Sequence, residues 1–200
     1  MKFHRFISTI LHPIVIPTLG TFLYFFFVSR VIERRLQFII LGLIFVFTYL
    51  VPLLLLVFLK ALGSIKSFEV FSIKERRIPV LMMIIILYTL GDRITQIPGS
   101  RNLGILFYGT SLSLGCIYLL FSLKLKSSLH LVSMGNMIGF FLIIGNINSL
   151  PLLPLVVILV LLSGVLASSR LHLKAHTPIE ILIGFFLGFF SQFILFFILQ

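Results

Sequence analysis

Residues Ser168 to Glu180, "SSRLHLKAHTPIE", hold two of the chain's five histidines together with an arginine, a lysine and a glutamate. Their types and spacing suit more than one chemistry. His172 and His176 stand four apart, a spacing at which a helix can bind a metal ion. Against that use, Thr177 can cap a helix with Pro178 at its first position, so the helix begins just after His176. The two histidines then fall in a turn, and no acidic cluster completes a ligand set. Glu180, four residues after His176, can hold one imidazole nitrogen, fix the tautomer and leave the other nitrogen free to attack. Glu180 also stands three after Thr177, which completes a capping box. The orienting and capping uses compete for one side chain. Arg170 has no acid within four residues on either side. A lone arginine ending an apolar helix suits a phosphate better than a protein salt bridge.

Two other stretches carry similar groups. In "SSLHLVSMGNMIG", Ser127 and Ser128 precede His130 where a loop enters an apolar helix; a serine there is a natural N-cap. Gly135 and Gly139 follow at a spacing that lets helices approach closely. In "SIKERRIPV", Lys74, Arg76 and Arg77 lead directly into another apolar helix. Alone, such a cluster anchors a chain at the membrane surface. Taken together, cations, a serine, histidines and one carboxylate describe a pocket for a phosphate rather than for a metal cation. Histidines beside a bound phosphate point to nucleophilic and general-acid roles.

The elements that must position these groups are membrane helices. The chain has 200 residues, 60% of them hydrophobic, and a mean hydropathy of +1.22. A soluble domain is only about half apolar. Runs near twenty residues long recur, each sufficient to cross a bilayer, and continuous apolarity excludes the alternation of a barrel. In lipid the backbone must satisfy itself, so the spans are helices. The expected fold is all-α: a polytopic transmembrane bundle of six or seven helices forming a single integral membrane domain over residues 1–200, with the motifs between about 74 and 184.

Seven apolar segments are predicted, at Ile10–Val28, Phe38–Leu59, Ile78–Ile97, Leu103–Leu123, Leu131–Ile147, Leu152–Ala167 and Ile179–Leu199. The third is the weakest, because it loses apolarity at Gly91, Asp92 and Arg93; a six-helix count with this piece in the interface is the alternative. The first is read as a retained helix, since no small-residue cleavage site follows its basic start. The loops after segments two, four and six contain the three motifs, so if all seven segments span, parity puts them on one membrane face. Lys and Arg divide eleven to five in favour of that face, which indicates the cytoplasm. Setting aside the five that belong to the candidate site leaves six against five, which decides nothing. The net charge of +11 comes without an extended basic segment or a nucleic-acid motif, so no nucleic-acid partner is expected. Cys116, the single cysteine, lies within an apolar run and reads as a core thiol.

These motifs resemble the type 2 phosphatidic acid phosphatase (PAP2) superfamily of membrane-embedded lipid phosphatases. Ser169 and Arg170, then His176, then Glu180 match its third motif, S-R-x5-H-x3-D/E, and Gly184 fits the glycine that often follows. The second motif, P-S-G-H, is similar to Ser128-Leu129-His130, without the proline and glycine. The first, K-x6-R-P, is similar to "KERRIP", with Lys74, Arg77 and Pro79 at a contracted spacing that also allows Arg76 in place of Arg77. The resemblance implies a PAP2-like core and a metal-independent hydrolase that needs no cofactor. It implies that His176 attacks phosphorus, that Glu180 orients it, and that His130 protonates the leaving alkoxide. Arg170, Lys74, Arg77 and Ser128 would hold the phosphoryl oxygens. The implied partners are a phosphorylated lipid substrate and membrane lipids. The expected setting is a bacterial inner (plasma) membrane. The alternatives are a non-catalytic phospholipid-binding protein on the same fold and a small anion or lipid transporter; a transporter should show broken helices or an inverted repeat, and the sequence shows neither.

Overall fold

Proline placement decides which apolar runs become continuous helices. The computed structural model describes residues 1–29, 31–65, 67 and 72–199. Its elements are α1 (Lys2–Ile10), α2 (Ile16–Phe27), α3 (Arg34–Phe45), a π-helical turn (Val46–Leu50), α4 (Val51–Ala61), α5 (Ile73–Thr95), α6 (Arg101–Leu120), α7 (Leu129–Ile147), α8 (Leu153–His172) and α9 (Pro178–Leu199). No strand occurs among the described residues. Pro79 sits inside α5 without ending it. Pro52 follows the π turn, which joins α3 to α4 so that Arg34–Ala61 reads as one 28-residue apolar stretch. A proline removes one backbone donor, and a local change of helical pitch absorbs the loss.

The first predicted segment behaves differently. Pro13 and Pro17 flank residues that turn rather than wind, and of the predicted run Ile10–Val28 only the 12-residue α2 is helical beyond Ile10, where α1 ends. Proline cannot donate within a helix, and it disfavours helical geometry in the residue before it. Six stretches are long and apolar enough to span a membrane: Arg34–Ala61, Ile73–Thr95, Arg101–Leu120, Leu129–Ile147, Leu153–His172 and Pro178–Leu199. The protein is therefore a polytopic integral membrane bundle. The short member is the first segment, not the third. The third forms the 23-residue α5, whose Gly91 and Ile94 are buried. A Cβ on Gly91 would lie 3.1 Å from the Gly104 carbonyl oxygen of α6, so the apparent interruption is a helix contact.

α7 is the central helix. It is apolar on all sides, as a helix enclosed by others must be, and Leu131, Met134, Ile138, Phe141 and Ile144 are all buried. Its closest partner is α9. Gly135 and Gly139 of α7 and Gly184 and Gly188 of α9 let the two backbones meet without intervening side chains. A Cβ on Gly184 would stand 2.7 Å from the Ser128 carbonyl oxygen. Around this seam, the outer faces of α4, α8 and α9 present Leu54, Phe58, Leu161, Phe186 and Phe197 outward. In a bilayer those faces meet acyl chains.

The starts of α5, α7 and α9 and the end of α8 meet at one end of the bundle, as parity leads one to expect of the loops that join them. α1 lies at that end too, packed on α8. α2 starts there beside His12. The chain that follows it reaches Ile32, which lies next to Gly99 at the other end.

Candidate active site

A capped helix start places the first site residue. Thr177 Oγ1 accepts the Glu180 N–H, and Glu180 Oε2 accepts the Thr177 N–H, each at 3.3 Å. This reciprocal box begins α9 and fixes the Glu180 carboxylate over its first turn. The same Oε2 lies 2.7 Å from Nδ1 of His176. The two expected uses of Glu180 therefore do not exclude each other. With Nδ1 held by the carboxylate, Nε2 is the nitrogen that remains for chemistry. Burial pushes the His176 imidazole down to about 4, with Arg76 and Arg170 adding to the fall, while the Glu180 bond pulls the other way. At neutral pH the ring is uncharged, the form in which a nitrogen lone pair is nucleophilic.

His176 lines a cavity between the helices, together with Arg170, His130, Arg76 and His12. Its lower part is largely apolar, walled by Leu87, Leu106, Phe107 and Met137, with Thr110 and Asn136 among them. Along α7, His130 and Met137 stand seven residues apart, so the cavity runs about 10 Å into the bundle. The arginines and His130 arrive from helix ends, while Thr110, Ser133 and Asn136 line the cavity from within helices. Arg170 lies in the last turn of α8, His130 in the first turn of α7, and Arg76 in the first turn of α5.

The expected anion ligands divide. Arg76 is buried, lines the cavity and donates from Nη1 to the Ser127 carbonyl at 3.3 Å. Lys74 and Arg77 are exposed and do not line it. Of the basic cluster, then, the cavity takes Arg76, the residue the motif spacing allowed in place of Arg77. Arg76, four residues before Val80, lies on the same buried face of α5, while Lys74 and Arg77 are exposed. Ser128 is fully buried at the N-cap of α7. Its backbone N–H donates to the Glu180 carbonyl at 3.0 Å, and its hydroxyl is buried with no hydrogen-bond partner. Leu129, which stands where the second motif has glycine, lines the cavity.

His172 and His176 part company. The His172 ring stacks on His4, with centroids 4.1 Å apart, while His176 turns to Glu180. Among the described residues, no three His, Cys, Asp or Glu side chains gather as a metal site would need.

Sequence reasoning missed the contribution of the amino terminus. His4, Ser8 and His12 recur every fourth residue in an otherwise largely apolar start, which is a helical polar stripe, and the structure turns that stripe toward the site. Ser8 Oγ accepts from Arg170 Nη1 at 2.7 Å. The His12 ring meets the His130 ring edge-on, with centroids 5.1 Å apart. Burial, assisted by Arg170, lowers His12 to about 4. All five histidines of the chain thus lie at one end of the bundle.

Comparison with family models, with curated proteins and with solved structures finds no match for this chain.

Proposed function

We propose that the protein is a membrane-embedded lipid phosphatase that hydrolyses a lipid phosphomonoester or diphosphate through a phosphohistidine. One observation carries this reading: a carboxylate-anchored, uncharged His176 shares a cavity with two arginines and a second histidine. The Nε2 lone pair of His176 attacks phosphorus, and the bond from phosphorus to the leaving oxygen breaks. His130 takes part as an imidazolium: Nε2 keeps its proton on the Ser8 carbonyl, and Nδ1 gives its proton to the leaving oxygen and regains one from the water that follows. Water then attacks the phosphohistidine and releases inorganic phosphate. Arg170 and Arg76 hold the phosphoryl oxygens; Ser128, buried at the start of α7, does not line the cavity. No step calls for a metal ion or a cofactor. The largely apolar lower cavity suits the lipid portion of phosphatidic acid, phosphatidylglycerol phosphate, an isoprenyl diphosphate or a lipid A phosphate. A bacterial inner membrane, the setting expected from the sequence, contains lipids of these kinds.

A second reading, a phospholipid-binding protein without turnover, draws on Leu129, whose side chain takes up room in the cavity where the resembled motif has glycine. Phosphate release from a panel of lipid phosphates, measured on detergent-purified protein with EDTA present, separates the two. The wild type should release phosphate and His176→Ala should not. Equal release from both proteins, or none from the wild type on any substrate, rejects the enzyme.

A further inference from the structure

The carboxyl end of α1 points at the same groups as the phosphate site. The last carbonyls of any helix have no partner within it, and they carry the negative end of the helix dipole. In α1 one of these carbonyls belongs to Ser8, which is buried. Its oxygen stands 3.1 Å from Nε2 of His130. A carbonyl oxygen can only accept, so Nε2 of His130 carries the proton and Nδ1 is the nitrogen left over. The hydroxyl of the same residue stands 2.7 Å from Nη1 of Arg170 and 3.4 Å from Nε2 of His130. One turn earlier, His4 Nδ1 is 3.1 Å from Ser169 Oγ, which ties α1 to the end of α8 beside Arg170.

We propose that Ser8 is a positioning residue of the phosphate site: its carbonyl fixes the tautomer and orientation of His130, and its hydroxyl fixes the guanidinium of Arg170. The inference rests on the reading of this cavity as a phosphate site. It gives His130 what Glu180 gives His176, an acceptor on one ring nitrogen. Here the acceptor is main chain from the other end of the protein. The amino-terminal helix is thereby a working part of the site, and a lipid phosphate, or inorganic phosphate as the smallest ligand of that class, binds against an Arg170 held by Ser8.

Binding of inorganic phosphate to the full-length protein in detergent, followed by calorimetry on wild type, Ser8→Ala and Ser8→Thr, tests this. Ser8→Ala keeps the carbonyl and loses the hydroxyl; Ser8→Thr keeps both. Wild type and Ser8→Thr should bind alike, and Ser8→Ala about tenfold more weakly, the scale of one hydrogen bond to a charged group. The melting temperature of Ser8→Ala should change little, because a purely structural serine would move stability and leave the affinity of the folded protein alone. Unchanged affinity in Ser8→Ala overturns the proposal. So does tighter binding, which would make the hydroxyl a competitor for Arg170. Absence of binding to the wild type overturns it together with the phosphate-site reading. Serine-dependent binding without lipid phosphate hydrolysis upholds it and rejects only the enzyme.

Discussion

Nδ1 of His176 stands 2.7 Å from Oε2 of Glu180, and that one oxygen also accepts the Thr177 N–H that opens α9. Orientation of the imidazole and initiation of the helix are therefore functions of the same atom. Glu180→Gln keeps a carbonyl oxygen for the cap but weakens the hold on Nδ1–H. Turnover should fall about 10- to 100-fold, the usual loss when an orienting partner is altered, while the melting temperature moves by only a few degrees. Glu180→Ala should lose turnover and also about 1 kcal/mol of stability from the broken cap. Activity per folded molecule that survives Glu180→Gln intact would reduce Glu180 to a cap.

The basic cluster supplies a discriminating series. Arg76 lines the cavity, whereas Lys74 and Arg77 face outward. Arg76→Ala should weaken binding of inorganic phosphate or vanadate by at least about tenfold, as expected for a charge-assisted contact. Lys74→Ala and Arg77→Ala should stay within about twofold of wild type, as exposed charges do. The reverse order would restore the assignment that the motif spacing first suggested.

Acid should destabilise the protein through its neutral histidines. His12 and His176 are each lowered from 6.5 to about 4 by burial. Below 6.5 the unfolded chain takes up protons that the native state refuses, so stability rises with pH across this window and is lost as pH falls toward 4. Thermal unfolding in detergent between these limits should show the melting temperature dropping on acidification. His12→Asn should flatten that slope, and an unchanged slope would count against a buried neutral His12.

The glycine seam between α7 and α9 can be probed by adding single methyl groups. Gly184→Ala would drive a Cβ to 2.7 Å from the Ser128 carbonyl, so backbone must shift. A loss of about 1 to 3 kcal/mol is expected, with reduced activity because α9 carries Glu180 and begins beside His176. Gly164, on α8, has nothing within 4 Å of such a Cβ, and Gly164→Ala should be neutral or slightly stabilising. Equal effects at the two positions would remove the seam as the reason for the glycines.

The helices were legible because lipid leaves the backbone no alternative to internal hydrogen bonds, so each unbroken apolar run had to wind. The misreadings have local causes. In the first segment Pro13 and Pro17 outweighed hydropathy. In the third, Gly91 looked like an interruption because a single sequence does not show the α6 backbone that fills the space. The third motif was legible as a unit because Arg170, His176 and Glu180 lie within eleven residues. The choice among Lys74, Arg76 and Arg77 was not, because consecutive residues differ by helix phase and the inward face is set by distant neighbours. Ser8 was out of reach for a similar reason: it meets Arg170 across 162 positions, and no local pattern announces such a meeting.

The main-chain bond from the Ser128 N–H to the Glu180 carbonyl joins the two helix starts that carry the site histidines. Because it involves no side chain, substitution at either residue leaves the link itself standing. The distance between these two helix starts is thereby kept by the peptide backbone, independently of the side chains at positions 128 and 180.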